Sequence, residues 1–251
     1  GTKTFFPGRP VHTYGYNGNY LGPVIRLHRG DLVNVALRNR LDEATTLHWH
    51  GLEVDGDMDG GPFVPHKPGD RWQAHFRIDQ PAATLWYHPH PHGLIGEQVY
   101  KGLAGLLIID DDLSDRLPLP KHYGVNDIPL IIQDKRFDFS GRLLYKTSIA
   151  DLVHGMIGNT LVVNGAINPV LDVGTQKIRF RLLNASNANA YEISLSDGRA
   201  FQQIASDGGL LSAPVEMTSL PLSPGERAES VVDFSRDRLG NRVVLVTPGY
   251  D

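Results

Sequence analysis

Leu47-His48-Trp49-His50-Gly51 is answered later in the chain by Trp86-Tyr87-His88-Pro89-His90. Each stretch holds a His-x-His pair in a segment that reads as strand. Side chains two apart on a strand point to the same face, so each pair aims two imidazoles at one spot. Four convergent neutral imidazoles suit zinc, copper, iron or nickel. Pro89 has no backbone donor, so His88 to His90 is expected at a sheet edge or where a strand gives way to a loop. A site reachable by solvent would lie there. Trp49, between two histidines, is expected to face the other side of its strand and to pack.

The plainer alternative is four structural or solvent-facing histidines. The repetition of the paired spacing favours the metal site at His48, His50, His88 and His90. His92 extends the second run and could be a fifth ligand, although its residue type favours a place beside the ligands or in solvent. His12, His28, His66, His75, His122 and His154 stand alone and read as surface or satisfied polar residues. Between the pairs runs an acidic, glycine-rich loop, Asp55-Gly56-Asp57-Met58-Asp59-Gly60-Gly61-Pro62. Asp59 could place a carboxylate near metal-bound water and relay protons. Taken alone, its residue type favours a turn acid capping its own backbone. No serine-nucleophile motif or phosphate loop appears elsewhere.

Composition narrows the remaining choices. The chain has 251 residues, 41% of them hydrophobic, with 27 Gly and 17 Pro. That is globular material built of short strands and turns. The net charge of -4 is dispersed, so neither nucleic acid nor an anionic membrane surface is indicated as a partner. No apolar run approaches the roughly 20 residues of a membrane span. The first residues, Gly1-Thr2-Lys3-Thr4, carry no signal-peptide pattern, although a mature chain would have lost one. There is no cysteine. Disulfides, thiolate catalysis, zinc-thiolate sites and iron–sulfur clusters are excluded, as is a blue-copper site within these residues.

Period-2 alternation recurs along the chain, at Val33/Val35/Leu37, Trp72/Ala74/Phe76, Ile178/Phe180/Leu182 and Tyr191/Ile193/Leu195. Thr84 to Tyr87 and the apolar run Gly102 to Ile109 complete a first unit. A short helical turn near Ser148 to Gly155 is the only helix expected. The pattern predicts an all-β chain of two β-sandwiches in tandem. The first domain spans 1–110, a polar, proline-bearing linker follows at 111–127, and 128–251 form a second domain without metal ligands.

At its histidine motifs the sequence resembles the multicopper oxidase family. Leu47-His48-Trp49-His50-Gly51-Leu52 with Asp59-Gly60-Gly61-Pro62 resembles the family's first copper motif. Gln80 to His90, followed by Gly102-Leu103-Ala104-Gly105, resembles the second. The similarity is greatest to the bacterial copper-efflux (cuprous oxidase) branch and laccase-like enzymes. It continues through Leu161-Val162-Val163-Asn164-Gly165, Arg181-Leu182-Leu183-Asn184 and Ala205-Ser206-Asp207-Gly208-Gly209.

The resemblance implies three cupredoxin domains of Greek-key topology, of which this chain is the first two and the third is missing. It implies an oxidoreductase that couples one-electron oxidation of a small reducing substrate, cuprous ion or a phenol, to four-electron reduction of dioxygen to water. By position, His48 would bind the mononuclear (type 2) copper of a trinuclear cluster. His50 and His88 would bind one copper of the dinuclear (type 3) pair, and His90 the other. Asp59 matches a carboxylate that relays protons, which reverses the plainer reading of that residue. A periplasmic or otherwise extracytoplasmic location is implied as well.

The family's remaining histidines and its cysteine motif, with the type 1 copper, belong to the third domain. This chain alone is therefore expected to be an inactive fragment, holding half of the cluster's ligands. Three other readings compete. A copper-free cupredoxin scaffold of the division-associated kind would not need four intact ligands. A two-domain copper enzyme would require a cysteine. An unrelated zinc or iron enzyme would need a further ligand, for which Glu53 is the nearby carboxylate.

Overall fold

A computed structural model describes residues 1–146 and 148–249. The chain divides into two compact units, each described by itself. The first comprises Gly1–Lys3 and His12–Arg116, the second Thr4–Val11 and the chain from Leu117 onward.

In the first unit a four-stranded sheet runs in the order Ile25–His28, Gly105–Asp110, Ala83–His88, His48–His50. The first pairing is parallel and the other two are antiparallel. A second, two-stranded sheet pairs Leu32–Arg38 with Arg71–Arg77 along their whole length. Its inward residues Val33, Val35, Leu37, Trp72 and Phe76 pack on Leu47, Trp49, Leu85, Tyr87, Leu107 and Ile109. Alternation along each strand thus becomes one filled sandwich, as period 2 requires. The expected strand over Gly102 to Ile109 begins at Gly105, and it is buried on both faces until Asp110.

The second unit has a seven-stranded sheet with Lys177–Asn184 between Asp127–Phe137 and Arg227–Asp233. A three-stranded sheet of Ser219–Leu222, Tyr191–Leu195 and Leu245–Val246 accompanies it. Ile178, Phe180, Leu182, Tyr191, Ile193, Phe201, Leu220 and Val232 fill the core. Both units are cupredoxin-like β-sandwiches. Phe201–Ser206, Gly209–Met217 and Ser219–Leu222 were not anticipated as strands. Gly209–Met217 lies mostly exposed, so its sequence carries no alternation to read.

Residues 111–127 hold more structure than a linker. Asp111 accepts from the Ser114 backbone N at 2.7 Å, and the Ser114 hydroxyl oxygen accepts from Asp111 N at 2.9 Å. This reciprocal cap starts the helix Asp112–Arg116. Residues 4–11 group with the second unit, where Phe5 and Phe6 set their rings 5.3 and 5.0 Å from Phe137. These half-buried ring contacts tie the segment to a strand far along the chain. The helical turn expected near Ser148 is the helix Ile149–Val153, with a capping box between Ser148 and Asp151.

A further helix, Ile95–Lys101, is too short for its period to show in the sequence. It matters for the site. Gln98, fully buried, donates to Ala44 O at 2.8 Å and accepts from the Thr45 hydroxyl at 2.8 Å. That side chain holds the backbone just before His48.

Candidate metal centre

The strand His48–His50 lies antiparallel to Ala83–His88, with His48 opposite His88, Trp49 opposite Tyr87 and His50 opposite Trp86. Two pairs separated in sequence are thereby brought to one end of the first sandwich. One donor nitrogen from each of His48, His50 and His88 lies within 4.8 Å of the other two. His50 Nδ1 and His88 Nε2 are 3.1 Å apart. His90 follows the strand end, as Pro89 foretold. Its ring centroid is 5.0 Å from that of His48 and 5.8 Å from that of His88.

Local hydrogen bonds choose which nitrogen each ring presents. His88 Nδ1 lies 2.8 Å from Pro89 O, a carbonyl that can only accept, so Nδ1 carries the proton and Nε2 a lone pair. His48 Nδ1 faces Asp59, 3.1 Å from Oδ1 and 3.3 Å from the backbone O, which likewise leaves Nε2 free. The backbone N of His90 donates to Thr46 Oγ1 at 2.7 Å. Its ring Nδ1 is buried with no hydrogen-bond partner among the described residues. A buried, unpartnered ring nitrogen calls for a ligand to satisfy it.

Burial pushes the His88 pKa well below the ordinary imidazole value, and the neighbouring His48, His50 and His90 push it further. Burial also lowers His48, against the opposing pull of Asp59. Both rings are therefore held in the neutral form that binds metals. Metal–nitrogen bonds of about 2.0–2.1 Å place two adjacent ligands about 2.9–3.3 Å apart. The His50–His88 separation matches that span, so these two nitrogens fit one shared first-row ion such as copper.

Trp49 is 1% exposed and packs in the core, as expected. Trp86 was missed by sequence reading. It stacks on His88 at 4.0 Å and 28°, and lies 5.1 Å from His50. Its position two residues before His88 on one strand was a usable signal, because both side chains share a face. The other histidines stay apart from this group. His92, His12, His75, His122 and His154 are exposed, His66 stacks on Trp72, and His28 faces Asp115. Glu53 is exposed and lies outside the group of close donors.

Residues 2–114 match the family model described as multicopper oxidase. The whole chain superposes on a solved bacterial laccase-like multicopper oxidase, CueO, from an Ochrobactrum species. That match has a TM-score of 0.94 and 42% identity, and covers 100% of this chain and 56% of that one. The chain belongs to the multicopper oxidase family. Within the family, it is 48% identical over 98% of its length to multicopper oxidase mco of Staphylococcus haemolyticus, covering 54% of that protein. It is also 48% identical over 90% of its length to the cell division protein FtsP of Xenorhabdus nematophila, covering 47% of that protein. The chain thus spans about half the length of the curated relatives it matches.

Proposed function

We propose that this chain supplies the first two cupredoxin domains of an oxygen-reducing multicopper oxidase. The observation that carries this reading is the convergence of His48, His50 and His88, with the unpartnered Nδ1 of His90 beside them. In this assignment His48 holds a mononuclear copper through Nε2. His50 and His88 hold one copper of a dinuclear pair through the nitrogens that face each other, and His90 holds the other. Bound copper would supply one-electron steps that sum to the reduction of dioxygen, with four electrons and four protons, to two waters.

The chain's own residues do the rest of the work here. Pro89 O and Asp59 fix ring tautomers, and Trp86 holds the His88 ring by stacking. The Asp59 side chain is 29% exposed, so its carboxylate can take protons from solvent and pass them toward the site. Without a cysteine, no blue copper forms within these residues. Electron entry and the remaining ligands are assigned to a C-terminal cupredoxin domain of the same protein. The reducing substrate is a small donor, cuprous ion or a phenol, oxidised outside the cytoplasm. Among the described residues, no helix is long and apolar enough to cross a membrane.

A second reading draws on the equal identity to a relative named as a cell division protein: this chain would then belong to a scaffold that keeps the fold and carries no copper. Copper content and oxygen uptake of the full-length protein discriminate the two. About four coppers per chain with donor-dependent oxygen uptake supports the oxidase. A fully folded, full-length protein that takes up no copper would sink that reading in favour of the scaffold.

A further inference from the structure

Trp49 does more than fill the core. The strand alternation sends His48 and His50 to one face and the Trp49 indole to the other. On that other face the indole sits between Phe76 and Tyr87, with ring centroids 5.6 and 6.1 Å away. From there it fastens the acidic loop at two points. Its backbone N donates to Asp59 O at 3.2 Å, and its indole Nε1 donates to Met58 O at 3.0 Å.

The loop passes so close to the chain at Leu47 that no side chain fits at position 60, just after Asp59. Gly60 has φ +68, and a Cβ there would stand 1.9 Å from Leu47 O. The carboxylate that results from this path is the one 3.1 Å from His48 Nδ1. A loop rich in glycine pays a large entropy for such a fixed course, so its few anchors decide where Asp59 stands.

We propose that Trp49 is a positioning residue. Its indole N–H, acting through Met58 O, holds Asp59 against His48 and so keeps the His48 proton on Nδ1, with Nε2 open to metal. The consequence for metal binding rests on the reading of His48 as a ligand; the clamp itself does not. Supporting residues of this kind typically change metal affinity by about ten- to a hundredfold.

The test separates the N–H from the packing. Full-length protein, stripped of metal and labelled with nitrogen-15 in its histidine rings, is examined by NMR at one fixed pH. The His48 signals are assigned by their loss in His48→Gln. In the parent protein the His48 proton should reside on Nδ1. Trp49→Phe, and benzothienylalanine at position 49, which keeps the bicyclic shape without the N–H, should both yield a mixture of tautomers. Ile78→Val, a loosening of the same core, should leave the parent tautomer in place. In the copper-loaded protein, both position-49 variants should weaken binding at that ion about ten- to a hundredfold.

An unchanged tautomer in the benzothienylalanine protein overturns the proposal and leaves Trp49 a packing residue. The same shift in Ile78→Val overturns it too, because general loosening would then suffice. If Trp49→Phe does not fold, the isosteric replacement carries the test. A tautomer shift confined to the position-49 variants, in a protein that binds no copper, would uphold the clamp while the oxidase reading fails.

Discussion

His50 Nδ1 and His88 Nε2 approach to 3.1 Å, although the strand register places His48, not His50, opposite His88. The contact is diagonal, and the facing Nε2 carries a lone pair because Pro89 O occupies Nδ1. Two such nitrogens can share a proton or an ion. If they share copper, His50→Ala in the full-length protein should lower bound copper and cut oxygen uptake at least about a hundredfold, beyond the usual cost of a supporting residue. Copper analysis beside an oxygen electrode reads both. Full copper and full uptake would remove His50 from the site.

The depressed pKa of His88 makes a prediction for the metal-free protein. The unfolded chain takes up a proton at about pH 6.5. The folded state resists it, because burial holds the ring neutral well below that value. Below the unfolded pKa the unfolded state therefore binds more protons. The stability from neutral His88 is whole above that value and is lost as pH falls through it toward the folded pKa. The slope is up to about 1.4 kcal/mol per pH unit. Thermal unfolding between about pH 7.5 and 5.5 should therefore be steeper in the parent than in His88→Gln. Equal slopes would contradict the account.

Asp59→Asn keeps an oxygen that can accept from His48 Nδ1 and loses the group that carries a proton. In the proposed oxidase, copper should stay bound while turnover falls by about 10²–10⁴-fold, the usual worth of a general acid–base group. Unchanged turnover with copper still bound would instead leave Asp59 a tautomer-setting residue only.

The second unit buries charge where the first gathers histidines. Arg181, 1% exposed, bonds both oxygens of Asp127 at 2.7 and 3.0 Å and Glu229 at 2.9 Å, and Arg179 closes on the same glutamate. Removing Arg181 takes a buried cation from Asp127 and from Glu229, although Glu229 keeps Arg179. Arg181→Met should therefore destabilise the protein by about 3–5 kcal/mol. Chemical denaturation measures this, and a change under about 1 kcal/mol would mean that water reaches Asp127 in the variant.

Much of this was readable from the chain alone. Period 2 is a property of local backbone geometry, so the His-x-His pairs announced their shared face, and Trp49 its burial, before any pairing was known. The lack of cysteine removed blue copper by chemistry alone. Even Pro89 located the end of its strand, since a missing donor is a local fact.

Other features depend on residues far apart in sequence meeting through hydrogen bonds and burial, and no local pattern records such meetings. The diagonal approach of His50 to His88 follows from register. The proximity of Asp59 to His48 follows from a loop held by Trp49 and by the clearance at Gly60. Tyr87 threads its ring past Gly22 and Gly105, where an added Cβ would fall 2.2 Å from its atoms, to reach Pro23 O at 2.6 Å. Residues 4–11 joined the second unit because Phe5 and Phe6 found Phe137 there. Local geometry sets which way a side chain points, and only the folded chain sets what it meets.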